Sequence, residues 1–128
     1  MAARVPSSFL TGKKPGRFPR SAAEQRTYDG IVFDSKLEMQ RYAELRQREK
    51  AGIISELTTQ PEYRVSINGF HFCVYHADFR YRDMETGEIV IEDVKGKGRD
   101  GTAGDRAFRL RKKAAEMFYG IEVRVVVR

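Results

Sequence analysis

The stretch Phe70-His71-Phe72-Cys73-Val74-Tyr75-His76-Ala77-Asp78-Phe79-Arg80-Tyr81-Arg82, followed by the turn Asp83-Met84-Glu85-Thr86-Gly87-Glu88 and by Ile89-Val90-Ile91-Glu92-Asp93-Val94-Lys95, decides the fold. Both runs are β-prone and alternate with a period of two. In the first, Cys73, Tyr75, Ala77, Phe79 and Tyr81 share one face. Phe72, Val74, His76, Asp78, Arg80 and Arg82 share the other. In the second, Ile89, Ile91, Asp93 and Lys95 lie opposite Val90, Glu92 and Val94. A four-residue loop from Met84 to Gly87 joins them as an antiparallel hairpin in which the numbers of facing residues sum to 171. Asp78 then falls opposite Asp93.

Facing Cβ atoms in such a ladder stand about 4.5–5.5 Å apart. Two bare carboxylates at that distance repel by about 3 kcal/mol at an effective dielectric near 20, a large share of a domain's roughly 5–15 kcal/mol of stability. A shared proton, an arginine or a divalent cation would offset the repulsion. Lys95, two residues on from Asp93 on the same face, neutralises part of the charge.

Upstream, Thr27-Tyr28-Asp29-Gly30-Ile31-Val32-Phe33 places an Asp-Gly pair between short β-prone segments, a hairpin signal. Ser35-Lys36-Leu37-Glu38 has capping-box spacing, and good helix formers run from there to Ala51 before Gly52. Leu37, Met39, Tyr42 and Leu45 form one apolar face of this helix, and Glu38 falls among them, a third carboxylate. Leu57 to Ile67, interrupted by Pro61, reads as an irregular or edge strand. Downstream, Gly96 to Gly104 holds four glycines in nine residues and reads as a mobile loop. A second helix spans about Asp105 to Tyr119, with Ala107, Leu110, Ala114 and Met117 as its apolar face, and Ile121 to Val127 closes the chain as a buried strand. The order predicts an α/β domain built on a central mixed β-sheet flanked by helices.

The chain has 128 residues, one Cys and a formal charge of +6. A single domain of this length buries enough surface to need no disulfide or structural metal, and Cys73 alone excludes an internal disulfide. No apolar run suits a bilayer span or a secretory signal, so the expectation is a soluble protein of the reducing cytoplasm with no membrane partner. Residues 1–26 carry six basic residues and one acid, which leaves only +1 for residues 27–128. With three prolines from Pro6 to Pro19 and little to bury, this segment reads as a basic, flexible arm, either a solubilising terminus or a phosphate-tracking one. Lys95 to Lys113 adds eight basic residues against two acids. Lys97, Arg99, Arg109, Lys112 and Lys113 are therefore the candidate contacts to a nucleic-acid backbone.

Three oxygen acids without a His/Cys group suit a hard ion, Mg²⁺ or Mn²⁺, in preference to Zn²⁺. Beside a basic loop and helix, such an ion is placed to polarise a phosphodiester and ready a water. The ordered set of an acid on the first helix, then Ala77-Asp78, then Glu92-Asp93-Val94-Lys95-Gly96, then a basic helix and a last strand, resembles the PD-(D/E)XK nuclease superfamily. Within it, Asp29 to Glu38, Tyr75 to Tyr81 and Glu92 to Gly96 resemble small phage-encoded endonucleases that are similar to phage junction-resolving enzymes. The resemblance covers about residues 27–127. It implies a restriction-endonuclease-like core, with Glu38, Asp78, Asp93 and the carbonyl of Val94 as metal ligands and Lys95 as the catalytic lysine. It also implies DNA, including Holliday junctions and other branched forms, as substrate, a homodimer making two coordinated cuts, and the host cytoplasm as location. The sequence departs from the superfamily's pattern twice: Ala77 stands where Pro is usual, and Asp93 where Glu is commoner. The rival reading from the residues alone is a non-catalytic nucleic-acid-binding module whose acids are structural.

Overall fold

Asp29 and Gly30 both take positive φ, 54° and 76°, as a two-residue hairpin turn requires. They join strands β1 (Thr27–Tyr28) and β2 (Ile31–Val32), paired antiparallel. The computed structural model describes residues 22–96 and 103–128. Ser35 then caps helix α1 (Lys36–Lys50), its hydroxyl accepting from the Glu38 amide at 3.1 Å. Gly52, at φ 80°, ends the helix in the left-handed conformation that glycine adopts without strain. The predicted hairpin and helix are both present.

The remaining elements are β3 (Ile54–Thr59), β4 (Glu62–Ile67), β5 (Phe70–His76), β6 (Phe79–Asp83), β7 (Ile89–Lys95), α2 (Ala103–Tyr119) and β8 (Val123–Val127). The central sheet runs β3-β6-β7-β8, antiparallel except for the parallel β7–β8 pair, and β4–β5 forms a separate two-stranded ribbon. A parallel neighbour needs a crossover, and α2 supplies it. The fold is thus α/β, with a mixed sheet and two helices. Phe79 pairs with Glu92 and Arg82 with Ile89, so the predicted register holds over Phe79 to Arg82, although the expected Asp78–Asp93 pair is not part of the ladder, and the Asp83 amide closes the turn onto the Glu88 carbonyl at 2.8 Å.

Strand β7 is covered on both faces. Val90 and Val94 join Phe33, Tyr42, Leu45, Ile54, Phe79 and Tyr81 in the core under α1, whereas Ile91 joins Val65, Tyr75, Ala77, Ala115 and Val123 in the core under α2. Adjacent residues of one strand point to opposite faces, so α1 and α2 cover opposite sides of the sheet.

The structure corrects three expectations. The run Phe70 to Arg82 is two strands, because the chain leaves the ribbon at Ala77-Asp78 and enters the central sheet. Leu57 to Ile67 breaks likewise at Gln60-Pro61, where Gln60 takes φ 54°. The two breaks are aligned: the Gln60 amide donates to the Asp78 carbonyl at 2.9 Å and the Ala77 amide to the Pro61 carbonyl at 3.2 Å. On α2, most of the stripe expected to be buried faces outward: Ala107 is exposed, Leu110 61% and Met117 75% exposed, and only Ala114 of the four packs against the core. At 100° per residue the buried positions, Phe108 and Ala115, lie on nearly the opposite side of the helix. Finally, the basic arm ends sooner than residue 26. Ala23–Arg26 is a turn of 3-10 helix, and the buried Arg26 guanidinium donates to the Phe33 carbonyl. The rest of the arm, and the loop carrying Lys97 and Arg99, lie outside the described residues.

Candidate metal centre

Asp78 sits where the chain passes from the ribbon to the central sheet. Its amide donates to the Glu92 carbonyl at 2.9 Å, one residue out of the β6–β7 register, and its carboxylate Oδ2 accepts from the Val94 amide at 2.7 Å. Burial raises its pKa, opposed by the Val94 amide, the Lys95 charge and a hydrogen bond with Glu38. The contact observed for Val94 is thus made by its amide and holds Asp78 in place.

Glu38 comes from the first turn of α1. Burial first, then the charges of Asp78 and Asp34, push its carboxyl up to about 8. In the metal-free protein Glu38 therefore holds a proton at neutral pH. Its Oε1 is buried without a hydrogen-bond partner. Asp93, only 3% exposed, is pushed up to about 7 by burial, against the pull of Lys95 and Lys112. Its Oδ2 is likewise buried and unpartnered. Such orphan oxygens are rare in native interiors and each calls for an explanation.

Lys95 lies beside both aspartates electrostatically, with Nζ 3.4 Å from the centroid of the Phe108 ring on α2. Lys112, read from sequence as a backbone contact, is largely buried and turned toward this region. Its Nζ pairs with Glu116 Oε2 at 3.2 Å, and the same oxygen accepts from the Val123 amide at 2.8 Å. Arg109 and Lys113 are exposed on α2. Glu38, Asp78, Asp93 and Lys95 therefore belong to one electrostatic unit.

Sequence reasoning missed three participants. Asp34, four residues before Glu38, adds a fourth carboxylate to its surroundings. Glu92 is fully buried and gripped by Arg41 of α1. Its signal was in the pattern: a Glu between Val90 and Val94 in a strand apolar on both faces has to find a buried cation.

Among the described residues no three Asp, Glu, His or Cys side chains are already gathered into a group able to hold a metal ion. The donor chemistry, three carboxylates with two unpartnered oxygens, nevertheless suits a hard divalent cation.

The raised values fix a pH dependence for the metal-free protein. In the unfolded chain the two carboxyls titrate from their ordinary 3.8 and 4.5, but in the fold they hold protons to about 7 and 8. The folded state binds more protons between those limits, so stability is fully present below about pH 4 and is lost as pH rises toward 8. Calorimetry in EDTA should show the melting temperature falling between about pH 5 and 8.5, with a visibly shallower fall for Glu38→Gln. A flat profile for the parent protein would show that these carboxyls are not buried as described.

No helix among the described residues is long and apolar enough to cross a membrane. No curated protein and no solved structure matches the chain. A family model does, over residues 19–126, and by that match the chain belongs to the family described as protein of unknown function (DUF1064).

Proposed function

We propose that this chain is a Mg²⁺- or Mn²⁺-dependent DNA endonuclease of the PD-(D/E)XK superfamily that hydrolyses phosphodiesters, acts on branched DNA and works as a homodimer. The observation that carries this reading is the pair of buried, unpartnered carboxylate oxygens, Glu38 Oε1 and Asp93 Oδ2, in one electrostatic unit with Asp78. A structural acid cluster would use those lone pairs internally. Glu38, Asp78 and Asp93 would hold the ion, which when bound polarises the phosphodiester and makes a nearby water more acidic.

The chain's own residues do the rest. The Val94 amide holds Asp78 in one orientation. Lys95 lies beside the same acids, and orients the attacking water or neutralises charge growing on the phosphate. Its ammonium is kept in place by the Phe108 ring. Arg109 and Lys113 meet the DNA backbone, and Lys112 lowers the cost of ionising Asp93. Junction resolution requires two coordinated cuts, hence two centres related by symmetry.

Supercoiled plasmid, a synthetic four-way junction and linear duplex, each incubated with Mg²⁺ and with Mg²⁺ plus EDTA, test the proposal. Cleavage of plasmid and junction that vanishes in EDTA, with the junction cut in preference to linear duplex, is the expected result. Retention of any of these DNAs in a gel shift with no cleavage in Mg²⁺ or Mn²⁺ would replace the nuclease by a non-catalytic binding module.

A further inference from the structure

Arg41 stands one turn beyond Glu38 on α1, and Glu92 immediately precedes Asp93 on β7. The two side chains form a two-point fork, Nε to Oε1 at 2.9 Å and Nη2 to Oε2 at 2.7 Å. Glu92 is 0% exposed, and the Tyr81 hydroxyl of β6 donates to its Oε2. On the other side, Arg41 Nη1 meets Glu44 Oε1 at 3.0 Å, and Glu44 Oε2 meets Arg128 Nη1, just past β8, at 2.7 Å. One network thus ties α1 to β6, β7 and the end of β8.

A buried ion pair of this kind roughly breaks even against a well-packed apolar pair, so stability alone does not account for it. A planar guanidinium fork does what apolar packing does not: it fixes both the height and the rotation of one element against another. Here the two elements are the ones that carry Glu38 and Asp93. We propose that Arg41, acting through Glu92, is a positioning residue that sets the separation between the Glu38 and Asp93 carboxylates, and so the affinity of the centre for a divalent cation. This inference rests on the metal-site reading above. Ligand geometry must hold to about 0.5 Å for such a centre to work, and outer partners that orient ligands typically change metal affinity by about 10–100-fold when lost.

The test measures Mn²⁺ binding directly, by calorimetry, alongside the melting temperature. It uses the parent chain, the double variant Arg41→Met/Glu92→Leu, the single variant Arg41→Lys, Glu38→Gln, and the triple variant that combines Glu38→Gln with the double. The double variant should melt close to the parent, because the pair is replaced and not split, yet bind Mn²⁺ about 10-fold or more weakly. Arg41→Lys keeps the charge and loses the fork, so it should fold and lose part of the affinity, which keeps the test valid if the double variant misfolds. In the Glu38→Gln background the clamp replacement should cost little further, because the carboxylate it positions is gone. Unchanged affinity in the double variant and in Arg41→Lys, or an equal fold-loss with and without Glu38→Gln, overturns the positioning role alone. A parent chain that binds no Mn²⁺ overturns the metal centre itself, and the clamp's role with it.

Discussion

Asp93→Asn is expected to lower Mg²⁺-dependent cleavage on the order of 10³-fold, in line with the loss of a single preorganised electrostatic group from an active site, while the metal-free protein at pH 8 becomes no less stable. The two halves of this outcome share one cause. Asp93 is buried, and its carboxyl is pushed up to about 7 by that burial, so at pH 8 the fold must carry its charge against desolvation. Asparagine keeps the shape and one acceptor oxygen but removes the charge, which relieves the metal-free fold and deprives a cation of an anionic ligand. If both halves hold, Asp93 weakens the empty protein in exchange for function, as is familiar at active sites. Cleavage rates on the four-way junction and melting curves in EDTA check the two halves separately. Cleavage within about tenfold of the parent would remove Asp93 from the chemistry. A large fall in melting temperature would instead make it a structural acid.

The parts of this arrangement that sequence disclosed are those fixed by short-range physics. The Asp29-Gly30 turn, the Ser35 cap and the β6–β7 register each depend on a few neighbouring residues with one good conformation. Register in particular follows once a turn length is chosen, because the side-chain period is two, and it holds from Phe79 to Arg82 but not as far as the expected Asp78–Asp93 pair. What stayed hidden depends on contacts distant in sequence. The alternation from Phe70 to Arg82 is unbroken through Ala77-Asp78, so nothing local marks the change of sheet. Only the aligned break at Gln60-Pro61 in the neighbouring strand does. On α2 two stripes at helical spacing compete, Leu110 with Met117 and Phe108 with Ala115. The second is the one that packs: Ala115 lies in the core with Tyr75 and Ile91, and Phe108 packs against it with Lys95 over its ring. Lys112 then turns inward with that face, and so leaves the group of exposed cations with which sequence had placed it.

Arg41→Ala is the substitution expected to damage the fold most, by about 3–5 kcal/mol, which for a chain of this length corresponds to a fall of roughly 10–20 °C in melting temperature. The cost does not measure what the ion pair contributes. It measures what remains when half of it is removed: a fully buried carboxylate whose one remaining side-chain donor among the described residues is the Tyr81 hydroxyl. Tyr81 cannot repair the loss, because a single hydroxyl supplies one hydrogen bond where the guanidinium gave two together with a charge. The prediction is therefore asymmetric. Urea unfolding should find Arg41→Ala severely destabilised and Arg41→Met/Glu92→Leu within about 1–2 kcal/mol of the parent, since the latter buries no unpaired charge. Equal losses in both would mean that the network adds net stability and that its geometry is incidental. The asymmetry would instead leave a nearly stability-neutral ion pair between α1 and β7, the two elements from which Glu38 and Asp93 project.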